Sequence, residues 1–289
     1  MRLLLAQLAP VPGDLGRNLE RLGAAVRAGA ADVAVFPELF LSGYRVGDRM
    51  HQLALREDDR AVSVLRSVAQ ASGTTVIVGA PVASRERSGE VHNAALAVTP
   101  TGELLLQVKR YLPTFGPFEE GIPFTPSDRS DPVPIAGATV GLEVCYDVFF
   151  PEVSRQLALG GAELIVAISA APVTSRRLFD RLLPARAIEN AVPVVYVNRV
   201  GVEDGIVFGG GSGGWDPRGE PIPAIPVPFA PAAAEESLSL IEVDTHEAVR
   251  WRPFRPVLRD VAGRPTDAGG SPAPHRSSSD PRSIPARAL

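Results

Sequence analysis

The sequence predicts an α/β protein whose sheets are covered by helices. Three observations carry that prediction. Short, nearly continuous apolar runs recur along the chain, as strands buried on both faces require. Between them lie longer segments with apolar residues every three or four positions, the period of a helix with one buried face. The two kinds of segment alternate, which favours helices packed on sheets over an all-α or all-β fold. With 289 residues, 45% of them hydrophobic, the chain has enough apolar material for one large core.

Residues 3–8 are the first apolar run and read as a buried strand. Asp14 can cap a helix to about residue 28, with Leu15, Leu19, Leu22 and Val26 on one face. Residues 32–36 form a second buried strand that ends at Pro37-Glu38, and a polar loop follows to about residue 55. A helix is expected over 58–71, with Val62, Leu65 and Ala69 facing inward, and a strand over 74–79. Residues 91–98 and 103–108 read as a hairpin around Pro100-Thr101-Gly102. A strand over 139–144 runs into Cys145, and Pro151 opens a helix that Gly160-Gly161 ends. Residues 164–169 and 193–198 are strands, separated by a helix over 176–191 that contains Pro184. Residues 206–215, 220–222 and 238–243 complete the β elements. One domain over 1–262 is expected. Beyond it, residues 263–289 are rich in Pro, Ser, Gly and Arg with few large apolar side chains, the composition of a disordered tail.

Bulk properties exclude several classes. A net charge of −4 with no basic stripe gives no reason to expect nucleic acid as a partner. No run reaches the ~18 apolar residues of a membrane span. The apolar start of the chain breaks at Pro10, too early for a secretory leader. One cysteine allows no intrachain disulfide framework and no cysteine-rich zinc site, and a free thiol suits the reducing cytoplasm. Gly209, Gly211 and Gly214 satisfy a dinucleotide-binding spacing, but a turn follows them rather than a helix. A strand passing close to another backbone explains them better, and no cofactor is expected.

The 29 basic side chains are 28 arginines and one lysine, Lys109. A lone lysine among arginines is a candidate for work that needs a compact ammonium rather than a planar guanidinium. A solvated surface lysine is the competing reading. Cys145 is either a small buried hydrophobe or the nucleophile of the chain. Its place at the end of a buried strand, before a turn and a helix, favours the second reading, because nearby backbone N–H groups can face an oxyanion. The nucleophile needs a base, and none of His51, His92, His246 or His275 lies in a protease-like signature. Glu38, after a strand and a proline, is a poorly solvated carboxylate placed to serve. Lys109 also follows a strand, so three reactive side chains at strand ends could converge on one rim.

Phe36-Pro37-Glu38 with Leu41-Ser42-Gly43-Tyr44, then Lys109-Arg110-Tyr111-Leu112-Pro113-Thr114-Phe115-Gly116 continuing to Glu120, then Cys145-Tyr146-Asp147 with Phe150-Pro151-Glu152, stand in this order. Together they resemble the three catalytic blocks of the nitrilase, or carbon–nitrogen hydrolase, superfamily. The resemblance implies a four-layer αββα sandwich. It implies a Glu38–Lys109–Cys145 triad with Glu120 as a second glutamate, and homo-oligomers built from eight-layer dimers. It also implies an amidase that cleaves a non-peptide C–N bond of a small amide through a thioester. Lys109 and the Tyr146 backbone N–H would hold the oxyanion, and Tyr44 and Glu143 are substrate-contact candidates. Glu143 enters because, two residues before Cys145, it should share its strand face. Phe149 departs from the arginine of many relatives, and Ser169-Ala170-Ala171-Pro172 from their Asn-Pro-Ala-x-Trp-like run. Both changes favour a neutral aliphatic or aromatic amide over an N-carbamoyl amino acid. Carbamoylase, nitrilase, acyl transfer and a silent scaffold remain the alternatives. No synthetase domain follows, so a fused glutamine-dependent NAD synthetase is not expected.

Overall fold

The computed structural model of the protein describes residues 1–233 and 235–262, and the expected tail at 263–289 lies outside them. The chain runs β1 (Arg2–Gln7), α1 (Leu15–Ala28), β2 (Val33–Val35), α2 (Met50–Leu53), α3 (Arg60–Ser72), β3 (Thr75–Ala83), β4 (Val91–Val98) and β5 (Leu104–Val108). It continues through β6 (Val133–Ile135), β7 (Ala138–Val144), α4 (Pro151–Leu159), β8 (Leu164–Ser169), α5 (Arg176–Asn190) and β9 (Val194–Asn198). The remainder is β10 (Val202–Glu203), β11 (Ile206–Val207), β12 (Gly213–Trp215), β13 (Ala224–Val227), β14 (Ser237–Glu242), α6 (Glu247–Trp251) and α7 (Val257–Ala262).

Seven strands form one sheet in the order β13-β14-β1-β2-β3-β4-β5, and five form another in the order β12-β9-β8-β7-β6. The centre of each is parallel: β1, β2 and β3 in the first, β7, β8 and β9 in the second. Side chains alternate along β1 and so define the layers. Leu3 and Leu5 belong to the core that also holds Leu142 and Val144 of β7 and Val166 and Ile168 of β8. Leu4 and Ala6 point the other way, into a separate core with Leu19 and Leu22 of α1 and Val62 and Leu65 of α3. On the far side α4 covers β7 so closely that a Cβ on Gly141 would meet Leu157 at 3.0 Å. The result is the αββα sandwich. Central strands are apolar on both faces because one face meets the other sheet and one meets helices. Leu22 and Leu65 are fully buried, each contributing about 1.5–3 kcal/mol relative to exposure.

Local signals behave as their chemistry requires. Asp14 Oδ1 accepts from Arg17 N at 3.0 Å and caps α1. Pro151 occupies the first turn of α4, and Pro184 is accommodated within α5. Residues 206–215 are not one strand but β11 and β12, separated by Gly210 and Gly211 with φ of 56° and 84°. A Cβ on Gly209 would lie 3.0 Å from Val173 Cα, the close backbone approach that the glycines serve. Residues 220–222 supply only the bridge between Pro221 and Trp215. Three strands are absent from the sequence reading, β6, β10 and β13; β10 has only two residues, and β6 and β13 are short edge strands carrying Pro134 and Pro226, which hide their period. No described helix is long and apolar enough to cross a membrane.

Candidate active site

The chemistry-bearing residues gather where strands end. Glu38 lies three residues past β2, on a turn in which Leu39 has φ 49°. That turn presses against β3: a Cβ on Gly79 would sit 2.4 Å from Leu39 N and 2.5 Å from Glu38 Cα. Only glycine lets the glutamate come this close. Lys109 is the first residue after β5, and its N–H donates to the Asn93 carbonyl at 2.9 Å. Cys145 is the first residue after β7 and has φ 50°, a strained conformation for a non-glycine residue. Buried Asp147 ties the last two strand ends together. Its Oδ1 accepts from Arg110 N at 3.1 Å and Tyr111 N at 2.9 Å, and its Oδ2 from Val144 N at 3.2 Å.

At the centre Lys109 Nζ lies 2.6 Å from Glu38 Oε1 and 2.7 Å from Glu120 Oε1, with its side chain 0% exposed. Asn93 closes the ring, its Nδ2 donating to Glu38 Oε1 at 2.7 Å and to Glu120 Oε2 at 3.3 Å. The Tyr44 hydroxyl donates to Glu120 Oε1. Ala170 N donates to Glu38 Oε2 at 2.8 Å, and Ser169 Oγ donates to Cys145 Sγ at 3.0 Å. Sequence, turn and packing thus place one ammonium between two carboxylates beside the only thiol.

The electrostatics follow from burial and pairing. Burial opposes the charge on Lys109, but Glu120 and Glu38 outweigh it and hold the ammonium pKa above its usual value. Burial raises Glu120, helped by the neighbouring Glu38 charge and opposed by Lys109. Burial and the Glu38 charge push the Cys145 thiol well above its usual range, while Lys109 and the Ser169 hydroxyl pull the other way. The resting nucleophile is therefore a thiol that must give its proton to a base. Burial also raises Tyr44 well above its usual value, so its hydroxyl stays a donor to Glu120.

One sequence expectation needs correction. Glu143 does not line the site. It is 1% exposed, and Ser154 Oγ of α4 donates to its Oε1 at 2.5 Å. Strand alternation stops at Val144, because Cys145 has a positive φ; its thiol meets Ser169, while Glu143 stays bonded beneath α4. The Tyr44 hydroxyl is committed to Glu120, which it positions. Tyr146 is partly exposed directly after Cys145, its ring 5.2 Å from that of Phe115 and 5.4 Å from that of Phe149. Asn93, Asp147, Ser169 and Gly79 are the site residues that sequence reasoning missed. Asn93 left one signal, a polar residue in the middle of an apolar strand.

Size does not locate this site. A groove of 1260 Å³ lies over β4 and β5 between Arg56 and Asp128 and contains none of the cluster. A smaller one of 380 Å³ reaches the outer side of Tyr44 and Glu120. Among the described residues no group of three or more His, Cys, Asp or Glu side chains could hold a metal. His92 bonds instead to the Thr125 carbonyl at 2.8 Å.

Residues 2–253 match the Carbon-nitrogen hydrolase family. The chain belongs to that family. It is 36% identical over 214 residues to the "Hydrolase in pqqF 5'region" of Pseudomonas protegens, covering 73% of this chain and 74% of the relative. It is 36% identical over 222 residues to an (R)-stereoselective amidase of a Pseudomonas species, covering 76% and 78%. Among solved structures, the NitN amidase of Nesterenkonia sp. AN1 superposes with a TM-score of 0.73 at 31% identity, covering 90% of this chain and 99% of that one. A mutant of the amidase from the same organism carries the acetamide moiety of fluoroacetamide covalently on its active-site cysteine. This carbon–nitrogen hydrolase is accordingly a nitrilase-superfamily, amidase-like enzyme with Cys145 as its active-site cysteine.

Proposed function

We propose that the enzyme hydrolyses a small neutral amide through a Cys145 thioester, with Glu38 carrying protons and Lys109 holding the oxyanion. The observation that carries this reading is the Lys109 ammonium, clasped between Glu38 and Glu120 with no exposed surface. Glu38 Oε1 already accepts from Lys109 and Asn93, whereas Oε2 accepts only from Ala170 N. Oε2 therefore keeps a lone pair for the proton. As Sγ attacks the amide carbon, the thiol proton moves to Glu38 and the carbonyl pair moves onto oxygen, facing Lys109 and the Tyr146 N–H. Collapse breaks the C–N bond, and Glu38 returns the proton to the departing nitrogen, releasing ammonia or an amine. Water then gives a proton to Glu38 and adds to the thioester. Collapse breaks the C–S bond, the sulfur regains its proton, and the acid leaves. Glu120, fixed by Tyr44 and Asn93, keeps Lys109 charged and aimed.

The aromatic cluster that follows Cys145 supports a neutral acyl group. Phe149 packs edge-on against Phe179 at 5.3 Å and beside Tyr146, where a charged partner for an N-carbamoyl amino acid would be needed. A panel of aliphatic and aromatic amides, nitriles and N-carbamoyl amino acids tests the reading. Ammonia release from the amides, lost in Cys145→Ala, is expected. Turnover confined to nitriles or carbamoyl compounds overturns the assignment. Leu159, Leu178 and Ile188, 44%, 47% and 44% exposed on α4 and α5, support pairing of two copies through that helical layer. Light scattering tests it, and a strict monomer contradicts it. A free thiol as nucleophile supports a cytoplasmic location.

A further inference from the structure

We infer that Ser169 is a further catalytic residue, whose hydroxyl bonds the reacting sulfur from the side opposite the substrate. The inference rests on the nucleophilic role of Cys145 proposed above. Ser169 is the last residue of β8, one step beyond the Val144–Ile168 pair of the β7–β8 ladder, which sets it beside Cys145. Cys145 leaves the ladder through its positive φ, but Ser169 stays in it, paired with Asn198 of β9. Its Oγ donates to Sγ at 3.0 Å from a position with 0% exposure, whereas Cys145 is 9% exposed. The sulfur thus meets a fixed hydroxyl on its inner side. Tyr196, 1% exposed on β9, lies on the same sheet face, two residues before Asn198, the ladder partner of Ser169.

The chemistry gives this bond a use. Negative charge gathers on sulfur when the thiol is deprotonated, and again when the C–S bond breaks in deacylation. A thioester sulfur is a weaker acceptor than a thiolate. Ser169 therefore stabilises the charged states more than the acyl-enzyme and favours both steps. The groups that set the charge around Cys145 are Glu38, Glu120 and Lys109, with Tyr44 and Tyr196 as neutral neighbours. None of these bonds the sulfur; among the described residues Ser169 is the side chain whose polar atom does.

The test is the pH dependence of Cys145 alkylation by iodoacetamide in the full-length enzyme, which requires no substrate. Ser169→Ala should slow alkylation near neutral pH by at least ~10-fold and move its midpoint upward by about one pH unit. Ser169→Thr, which keeps the hydroxyl, should stay close to the wild type, and amide turnover should follow the same order. An unchanged midpoint in Ser169→Ala overturns the inference. If that variant does not fold, a Ser169→Thr midpoint displaced by a full unit overturns it. A wild-type thiol that resists alkylation at every pH would instead remove the nucleophilic role of Cys145, a separate failure.

Discussion

Replacing Lys109 by arginine keeps the charge and changes only its shape. The wild-type ammonium touches Glu38 at 2.6 Å and Glu120 at 2.7 Å in a cage with no exposed surface. A planar guanidinium adds bulk to that cage, and overpacking a filled interior costs about 1–3 kcal/mol. It also moves the donor away from the oxyanion, and losing one such donor costs about 10²–10³ in kcat. Lys109→Arg is therefore expected to fold, with a modest loss of stability and at least ~10² lower kcat on a small amide. Lys109→Met is expected to be worse in stability, because two buried carboxylates lose their cation, a loss of about 3–5 kcal/mol. Ammonia release and urea denaturation of the two variants measure both effects. A Lys109→Arg enzyme within ~3-fold of wild-type kcat would refute the requirement for a compact ammonium. A Lys109→Met protein of normal stability would refute the buried ion cluster.

Three further outcomes follow from the same geometry. Burial pushes Glu143 up from 4.5 to about 7, so the unfolded chain loses this proton first and stability falls as pH rises through that window. Glu143→Gln should thus gain about 1–3 kcal/mol above pH 7 and nothing near pH 4, with kcat unchanged; equal gains at both pH values contradict it. Tyr44→Phe removes a donor from charged Glu120 and should lower kcat ~10-fold with little change in KM, as steady-state kinetics would show. Gly79→Ala drives a methyl into the Glu38 turn, and an inactive, poorly folding protein by circular dichroism is expected.

The sequence showed the strand ends before it showed the site. Cys145, Lys109 and Glu38 were legible because each follows an apolar run that must be a strand, and strand ends in α/β sheets present side chains to ligands. What closes around them was not legible. Asp147 works by accepting three backbone N–H groups, a role that no side-chain pattern records. Glu203 is similar: it pairs with buried Arg199 and accepts from Tyr44 N at 2.9 Å and Arg45 N at 2.7 Å, across 159 and 158 residues of chain. Glu143 was misplaced because a period-two argument assumes that the strand continues, and one residue with positive φ ended it. The edge strands β6 and β13 were lost to proline, and the Gly-rich segment 209–214 was legible as a close backbone approach but not as the break between β11 and β12.

The central claim is that an acyl group passes through Cys145. Rapid quenching during turnover of a small amide, followed by intact-mass and peptide analysis, tests it most directly. A transient mass increase equal to the acyl group, mapped to the peptide bearing Cys145 and absent from Cys145→Ala, is the predicted result. Steady turnover of the same amide by Cys145→Ala, with no adduct on the wild-type thiol, would contradict it.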